Sequence, residues 1–435
     1  MAGIVVLSME AQTPTAREET PTAREEIDAN PWLAGNNYLD YDRQLPTTPL
    51  TKAPKGYKPF YLSHYGRHGA RFLLGKKDYS GIIAQLSKGE KQGKLTAEGA
   101  RTLRSLEAFY PQTIDRLGDL TTVGERQHHG IGKRMARNFP KIFRQKNVPV
   151  DARSTVVNRC ILSMVAECEE LMAANPTARI HNDVSESLQY YLNQNWSGIV
   201  KENGGKARRQ RNDFRDKHTH PERLMSALFN DTQWANDSID CASLMRRLFE
   251  VAINMQSHDG APDLIHLFTS DEIYDQWRWR NADWYVDYGA SPLSSGVMPF
   301  SQRNLLRNFI ETADTVVKSG NTQATLRFGH EICVMPLACL MELDSCGMAI
   351  ESLDSVEYHW RAYRIFPMAC NVQLVFYKPK RKKGGDILVK AMLNEREMAL
   401  PVPTSQYPYY RWDDVRAYWT KKLDDFDKRY STDKK

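Results

Sequence analysis

Short apolar runs alternate with amphipathic segments along the first and last parts of the chain. Residues 57–62 and 148–155 have the length and composition of buried strands, whereas residues 96–110 and 158–174 repeat apolar side chains at helical spacing. Strands that alternate with helices of this length favour an α/β fold. The pattern predicts a central, mostly parallel sheet that helices flank on both faces.

The middle of the chain, residues 176–320, has a different pattern. Strand signals become rare there, and residues 221–229, 243–256 and 271–288 are amphipathic segments of helical length. We therefore expect a largely helical insertion, or cap domain, within an α/β catalytic domain. The predicted organisation is a leader at residues 1–30, a catalytic domain at residues 31–175 and 321–435, and a cap domain at residues 176–320.

The first 30 residues predict a flexible leader. A polar heptad, Thr-Pro-Thr-Ala-Arg-Glu-Glu, occupies residues 13–19 and recurs at residues 20–26, and two copies are too few for a repeat fold. Residues 1–12 hold a short apolar patch without a basic region before it. This segment is typical either of the last part of a secretory signal or of a disordered tail.

Composition limits the classes of partner. The chain has 435 residues, of which 41% are hydrophobic, enough for one large or two moderate cores. Its net charge of +6 arises from 59 basic and 53 acidic residues. This mild excess suits an anionic substrate and argues against a nucleic-acid partner. No apolar run reaches the length of about 18 residues that a membrane span needs.

Seven cysteines are present, and their odd number leaves at least one thiol unpaired within a monomer. No Cys-x-x-Cys pair occurs, and His128 and His129 have no acidic or cysteine partner at the spacing of metal ligands. We expect buried thiols with one or two disulfides, no bound metal, and packing or surface roles for the two histidines.

The strongest chemical signal follows the first predicted strand. Gly66 and Gly69 break the apolar run into a turn that carries Arg67, His68 and Arg71. Two guanidinium groups on either side of an imidazole suit a phosphoryl group, because each can bind phosphate oxygens through two N–H donors. Their positive field keeps the imidazole neutral and therefore nucleophilic. The alternative is a basic surface loop without chemistry.

A second basic segment spans residues 201–217. Between its terminal lysines it holds five more cationic side chains, near a Gly-Gly pair, and its simplest interpretation is a solvated loop. The alternative is the rim of a polyanion site, which would raise both the association rate and the affinity of a substrate with several phosphates. The candidate rim residues are Lys76, Lys77, Arg208, Arg209 and Arg211.

The turn at residues 67–71, Arg-His-Gly-Ala-Arg, resembles the RHGxR signature of the histidine acid phosphatases, the family that includes phytases. The resemblance covers about residues 30–400, and its layout, including residues 284–289, is most similar to the bacterial multiple inositol polyphosphate phosphatases. Further segments that resemble the family pattern are 95–99 and 120–124 (Leu-Thr-x-x-Gly), 153–159 with Ser163, 328–331 with 336–337, 371–377, and 386–396.

The resemblance implies a phosphomonoester hydrolase that works through a phosphohistidine and uses neither metal nor cofactor. It also implies a periplasmic or secreted protein that acts on a small polyanion such as phytate. The implied site consists of His68 as nucleophile, Glu331 as proton donor and then base, and Arg67, Arg71, Arg159 and His330 as phosphate ligands.

One position departs from the family pattern. Relatives have His-Asp or His-Ala-Glu in the distal motif, whereas this chain has His330-Glu331-Ile332. Either Glu331 protonates the leaving group from this place, or another acid does so and Glu331 supports the loop. Simple phosphomonoesters are the alternative substrates to phytate. A phosphomutase and a non-catalytic phosphate-binding module are the alternative functions.

Overall fold

The computed structural model of the chain describes residues 21–43, 48–381 and 385–430. Residues 1–20, which include the apolar N-terminal patch and the first heptad copy, lie outside the described residues. So do residues 382–384 in the basic tip of the C-terminal hairpin. No helix in the described ranges is long and apolar enough to cross a membrane.

Within the described residues, eight strands form one mixed sheet in the order β3-β2-β4-β1-β5-β6-β7, and β8 pairs with β6. The pairs β3-β2, β2-β4 and β4-β1 are parallel, whereas every pairing from β5 onwards is antiparallel. The α/β class is confirmed, and the sheet is mixed because a meander extends its parallel half. The strands are β1 (Tyr57–Arg67), β2 (Pro149–Ser154), β3 (Arg179–Val184), β4 (Ala324–Gly329), β5 (Asn371–Pro379), β6 (Leu388–Leu393), β7 (Arg396–Met398) and β8 (Tyr410–Arg411).

Helices cover both faces of this sheet. In the described ranges they are α1 (Ala23–Ala29), α2 (Ser80–Lys91), α3 (Ala97–Phe109), α4 (Thr122–Asn138), α5 (Pro140–Phe143), α6 (Asn158–Ala174), α7 (Gln189–Leu192), α8 (Ile199–Asn203), α9 (Arg208–Lys217), α10 (Glu222–Leu228), α11 (Thr232–Ser238), α12 (Cys241–Asn254), α13 (Ser270–Tyr288), α14 (Arg303–Ser319), α15 (Glu331–Met341), α16 (Val356–His359), α17 (Ala362–Ile365) and α18 (Trp412–Tyr430).

Side chains alternate between the two faces along each strand, as the pleat requires. On β1, Tyr61 and Tyr65 pack with α14, α15 and α18, whereas Leu62 packs with α4, α5 and α6. On β5, Leu374 packs on the same face as Tyr61, and Val375 packs on the same face as Leu62. Both faces of the central strands are therefore buried, which explains why their sequences are continuously apolar.

A second core, the cap core, lies beside the sheet. It joins the apolar sides of α1, α2, α3, α10, α11, α12 and the first half of α13. The predicted domain boundaries differ from this arrangement in two ways. Segments before residue 175 contribute to the cap core, while β3 and α14, from the predicted insertion, belong to the sheet and its cover. Amphipathicity predicts that a helix packs, but not which core it packs against.

Residues 21–30 are not a flexible leader in the structure. Thr22 begins α1 with a capping box, and Ile27 is buried. The Glu26 carboxylate accepts hydrogen bonds from Arg361 and Tyr363 and forms an ion pair with Arg364. The second copy of the heptad is therefore helical because a distant basic segment binds its glutamate, a contact that local sequence does not reveal.

Two further expectations are wrong. Most of the basic segment at residues 201–217 is helical, in α8 and α9, because Phe214 on α9 packs inward while Arg208 and Arg209 face outward. No cysteine forms a disulfide, and all seven lie within the described residues. Six of these thiols are buried and Cys241 is partly buried. Burial in apolar surroundings, rather than cross-linking, accounts for them.

Candidate active site

The site forms where two neighbouring parallel strands end. β1 and β4 pair in register up to Arg67 and Gly329, so His68 and His330 follow the carboxyl ends of adjacent strands. The His68 backbone N–H donates to the Gly329 carbonyl at 2.9 Å. Ligand sites of open α/β sheets form at this edge. The sheet thus brings together two motifs that are more than 250 residues apart.

His68 is held in one tautomer. Its Nδ1 lies 2.8 Å from the Gly69 carbonyl, which can only accept, so Nδ1 carries the proton and Nε2 keeps its lone pair. The side chain is buried, and Nε2 lies 3.6 Å from Glu331 Oε2. The His330 ring stands edge-on to it, with ring centroids 5.6 Å apart.

Arg67 is fully buried and its position is fixed by the backbone. Its Nη1 donates to the carbonyls of Asn37 at 2.5 Å and Pro367 at 3.1 Å, while Nε lies 3.1 Å from Glu331 Oε2. Carbonyls on one side of the guanidinium leave its other side directed into the site. The arginine is therefore a preorganised donor, and little side-chain entropy remains to be lost on binding.

Arg71 and Arg159 approach the same place from other elements. The Arg71 guanidinium lies over the Tyr38 ring, 5.5 Å from its centroid. Arg159 stands on the first turn of α6, is half-buried, and donates from Nη1 to the Gly118 carbonyl at 3.3 Å. The structure therefore brings all six residues of the predicted central site together.

Several buried polar atoms in this cluster have no hydrogen-bond partner in the protein. They are Arg67 Nη2, His68 Nε2, Arg71 Nε and Arg159 Nε. A buried polar group without a partner costs about 1–3 kcal/mol, so such groups are rare unless they have a function. Glu331 is also the first residue of α15, whose N-terminus favours negative charge. The cluster is therefore built to receive an anion.

The electrostatics agree with a neutral nucleophile beside a carboxylate. Burial and the Arg67 charge hold the pKa of His68 well below its ordinary value. Burial opposes ionisation of Glu331, but the charges of Arg67 and Arg71 outweigh it and hold the pKa of that carboxyl well below its ordinary value. Burial lowers the pKa of His330 to about 4. In the free protein at neutral pH both histidines are uncharged and Glu331 is ionised.

His68, His330 and Glu331 also offer three ligand atoms within 4.8 Å of one another, a spacing that could hold a metal ion. The Glu331 carboxylate is already paired with Arg67, and Arg71 and Arg159 add further positive charge. A cation would have to overcome this field. The donor set therefore favours an anion over a metal.

The predicted rim residues do not behave alike. Lys76, Lys77, Arg208 and Arg209 are exposed, and no contact joins them to the central cluster. Arg211 is instead bound by two carboxylates, with Nε 2.5 Å from Asp283 and Nη1 2.6 Å from Asp287. Its charge is compensated within the protein, which weakens its attraction for a phosphate, and its place in the substrate rim stays a prediction.

Sequence reasoning missed the contacts that support the nucleophile loop, residues 67–71. The Ala70 carbonyl accepts from Thr121, and the Ala70 N–H donates to Gln127 Oε1. His128, predicted to have a packing or surface role, is fully buried and contacts the Arg67 carbonyl. The sequence signal that could have indicated these contacts is the Leu-Thr-x-x-Gly motif at residues 120–124, which begins α4 just before Gln127 and His128.

Comparison with known proteins shows the same fold. No protein-family model and no curated protein sequence matches the chain. Among solved structures, the multiple inositol polyphosphate phosphatase of Bifidobacterium longum in complex with phosphate is 18% identical, with a TM-score of 0.71, over 89% of this chain and 98% of that one. Its complex with inositol hexasulfate gives 17% identity and a TM-score of 0.67, over 88% and 97%.

A phytase from D. castellii is 14% identical, with a TM-score of 0.68, over 90% of this chain and 85% of its own. These similarities extend over nearly the whole of each chain. They confirm the predicted α/β fold with helices on both faces of the sheet, although the sheet is mixed rather than mostly parallel.

Proposed function

We propose that the protein is a phosphomonoester hydrolase of the histidine acid phosphatase type, which forms a phosphohistidine on His68. The observation that carries this proposal is the set of buried N–H donors without partners that surrounds the free Nε2 of His68. A phosphoryl group would satisfy these donors and present phosphorus to the lone pair. The likeness to phosphatases of the same fold supports the assignment.

In the proposed reaction, His68 Nε2 attacks phosphorus in line while Nδ1–H remains bonded to the Gly69 carbonyl. This bond stabilises the imidazolium character that develops as the N–P bond forms. Arg67, Arg71 and Arg159 bind the equatorial oxygens, where negative charge gathers in the transition state. His330 is neutral and adds one more donor to these oxygens.

Glu331 is the proposed proton donor to the leaving oxygen and then the base that activates water. In the free protein it forms the ion pair with Arg67 that a phosphoryl oxygen would form instead. A bound phosphate would take over the arginines and place negative charge beside the carboxylate, which raises the pKa of Glu331. The acid is therefore generated by substrate binding, and turnover is expected to favour acidic pH.

The proposed substrate is an inositol polyphosphate such as phytate. Two cations of the cap helices lie near Arg71: the charge of Arg280 acts on Tyr38, and that of Arg247 acts on Asp78, as the charge of Arg71 does on both. Lys77 and Arg247 also flank the same glycine, Gly81. We propose that these cap cations, rather than Arg211, bind the phosphates that are not being transferred.

A second candidate substrate class is supported by a different observation. Leu74 is 53% exposed, and it flanks Gly118 together with Arg159. Leu117 and Ile114, from the same turn, are exposed as well. An apolar edge beside a phosphate-binding arginine suits a phosphomonoester with an aryl or alkyl group. A general acid phosphatase is therefore the alternative.

The decisive experiment is the release of inorganic phosphate from phytate and from an aryl phosphate between pH 3 and 8. Release of more than one phosphate per phytate, abolished in His68→Ala, is expected. Turnover of the aryl ester alone would keep the chemistry and remove the phytate assignment. Return of the phosphate to the substrate rather than to water would indicate a mutase. Binding without turnover, undiminished in His68→Ala, would indicate a phosphate-binding module.

The role of Glu331 has its own test. A phenolate with electron-withdrawing substituents leaves without a proton, whereas the alkoxide of an inositol needs one. Glu331→Gln should therefore slow the release of phosphate from phytate by about 100-fold and slow formation of the phosphohistidine from an activated aryl phosphate much less. Equal losses on both substrates would show that Glu331 supports the loop and that another acid acts.

A periplasmic or secreted location is part of the same proposal and rests on the resemblance to phytases. The seven free thiols show that the described fold does not depend on an oxidising compartment. Fractionation of the native host with an antibody against the protein tests the location. Recovery in the cytoplasmic fraction would refute it.

A further inference from the structure

We propose that His128 and Glu167 form a buried positioning pair that fixes the nucleophile loop from behind. The inference rests on the proposed function, since it assigns this pair a role in the reaction at His68. His128 lies on α4 and Glu167 on α6, and both side chains are fully buried. His128 Nδ1 is 3.0 Å from Glu167 Oε2, and His128 Nε2 is 3.0 Å from the Arg67 carbonyl oxygen.

The chemistry of the two partners decides where the protons are. A backbone carbonyl can only accept, so Nε2 of His128 must carry a proton. Nδ1 then faces a carboxyl oxygen, and this contact is a hydrogen bond only when a proton lies between the two atoms. His128 and Glu167 together therefore hold one proton on the Nδ1–Oε2 line, in addition to the proton on Nε2.

Buried side chains around His128 and Glu167 exclude water from the pair. Phe328 packs against the rings of both His128 and His64, with centroid distances of 5.9 and 5.4 Å. His64 is also fully buried, and its Nε2 lies 3.9 Å from the other Glu167 oxygen. Burial lowers the pKa of His64 to about 4, so this neighbour is neutral. A charged carboxylate with no bonded partner in such a place would be strongly unfavourable, which makes the pair with His128 essential.

The pair acts on the peptide that joins Arg67 to His68. The Arg67 guanidinium has its own anchors in the carbonyls of Asn37 and Pro367, independent of this peptide. Loss of the His128 bond should therefore leave phosphate binding nearly intact and displace the backbone of the nucleophile. A displacement of about 1 Å at a reacting group can cost on the order of 100-fold in rate.

The test compares a variant that keeps the hydrogen bonds of the pair with one that removes them. Glu167→Gln can donate its amide N–H to a neutral His128 Nδ1 and so retain both bonds. We expect its kcat to stay within about threefold of wild type. His128→Leu combined with Glu167→Leu removes both polar groups together and avoids a buried unpaired charge. This double variant should fold, lose at least about tenfold in kcat, and keep the inhibition constant of inorganic phosphate within about threefold.

A matched control lies on the cap side, where buried His218 pairs with Asp275 at 3.1 Å. His218→Leu combined with Asp275→Leu removes a similar pair that touches no residue of the nucleophile loop, so kcat should remain at the wild-type value. The proposal is overturned if Glu167→Gln loses as much kcat as the double variant at His128 and Glu167. It is equally overturned if that double variant retains wild-type kcat.

A measurement without turnover separates this inference from the proposed function. In protein labelled with ¹⁵N-histidine, one histidine should show a protonated Nε2 and a proton on or shared by Nδ1 at neutral pH. Its signal should vanish in the double variant and change to a neutral Nε2–H ring in Glu167→Gln. If wild type releases no phosphate but shows this signal, the proposed function fails and the pair stands. A His128 ring without a proton on Nε2 refutes the pair.

Discussion

Two copies of the same five-residue pattern, Leu-Thr-x-x-Gly, perform the same local task in two different parts of the molecule. Residues 95–99 open α3 and residues 120–124 open α4. In each copy the threonine side chain accepts from the glycine N–H, at 3.0 Å in the first and 3.2 Å in the second. Each leucine forms an isolated β-bridge to another segment, Phe229 in the first case and Arg71 in the second.

The two copies of the pattern also share a backbone contact with another segment. The Thr96 N–H donates to the Leu228 carbonyl at 3.0 Å, and the Thr121 N–H donates to the Ala70 carbonyl at 2.9 Å. A Cβ added at Gly99 would lie 2.1 Å from the same Leu228 oxygen, and one at Gly124 would lie 2.3 Å from the Ala70 oxygen. The pattern is thus a device that docks the start of a helix on a backbone carbonyl.

The difference lies in the segment that is docked. Leu228 ends α10 in the cap core, whereas Ala70 is part of the nucleophile loop. One copy therefore fixes the cap to α3, and the other fixes residues 67–71 to α4. The local sequence predicts how each helix starts, but only the tertiary structure shows which copy contacts the candidate site.

The largest difference in kcat between the two copies is expected when alanine replaces the glycine of each, Gly124 or Gly99. Gly124→Ala should lower kcat by about 100-fold, because the Cβ must push the Ala70 backbone away from α4. It should also destabilise the fold by about 2–3 kcal/mol. Gly99→Ala should cost similar stability but leave kcat within about twofold, since the backbone that must move is in the cap. Steady-state kinetics with an aryl phosphate, together with urea unfolding, measure both quantities.

One further substitution serves as a control for this result. Gly93→Ala meets nothing within 4 Å but has a φ of +68°, so it should cost a small amount of stability and no activity. If Gly124→Ala keeps wild-type kcat while unfolding more easily, the Ala70 contact is structural only. If Gly99→Ala lowers kcat as much as Gly124→Ala, the two copies do not have separate roles.

The same comparison explains what could be predicted from sequence. The strand that begins at Tyr57 and the helix over Asn158–Ala174 were predictable from local apolar patterns, although β1 continues past the predicted end at residue 62 to Arg67. The basic turn with Arg67, His68 and Arg71 was indicated by its residue types, whereas Arg159, His330 and Glu331 were predictable only through a family pattern. Their proximity depends on the pairing of β1 with β4, and no periodicity encodes that pairing.

Other features could not be predicted because their partners are distant in sequence. Glu26 orders α1 through Arg361 and Arg364, more than 300 residues away. Arg211 belongs to a basic run, yet it faces Asp283 and Asp287 on α13. The sequence of a basic run does not show which of its cations are paired with carboxylates, and for this reason the pairing of Arg211 could not be predicted.

An intermediate effect is expected on stability at acidic pH, and part of it should arise at buried His64 on the catalytic side. The pKa of buried His64 is about 4 in the folded protein, against an ordinary value of 6.5. Between these values the unfolded chain binds a proton that the folded chain does not, so stability falls as pH falls. From pH 6.5 to 5 this histidine should cost the fold about 2 kcal/mol.

Urea unfolding at these two pH values measures the effect. His64→Leu should reduce the loss of stability on acidification by about the same amount, whereas His266→Leu, at an exposed cap-side histidine, should not change it. Equal pH dependence in wild type and His64→Leu would show that His64 is protonated in the fold. An enzyme that favours acidic pH would then lose no stability through this residue.

The smallest effects on stability and kcat are expected from substitution of the two capping threonines, Thr96 and Thr121. Thr96→Ala and Thr121→Ala each remove an N-cap hydrogen bond and should each cost about 1 kcal/mol of stability. Only the Thr121 hydroxyl also donates to the Ala70 carbonyl, whereas the Thr96 hydroxyl donates to Ala227 in the cap. Thr121→Ala should therefore lower kcat by about threefold while Thr96→Ala leaves it unchanged.

Serine is the matched control at both positions, because it keeps the hydroxyl and loses only a methyl group. Thr121→Ser should restore kcat, and Thr96→Ser should restore stability without any change in kcat. If Thr121→Ala retains full kcat, the Ala70 carbonyl is held sufficiently by the Thr121 backbone N–H. The copy at residues 120–124 would then differ from the copy at residues 95–99 only in the segment that it contacts. Its hydroxyl would make no separate contribution to the reaction.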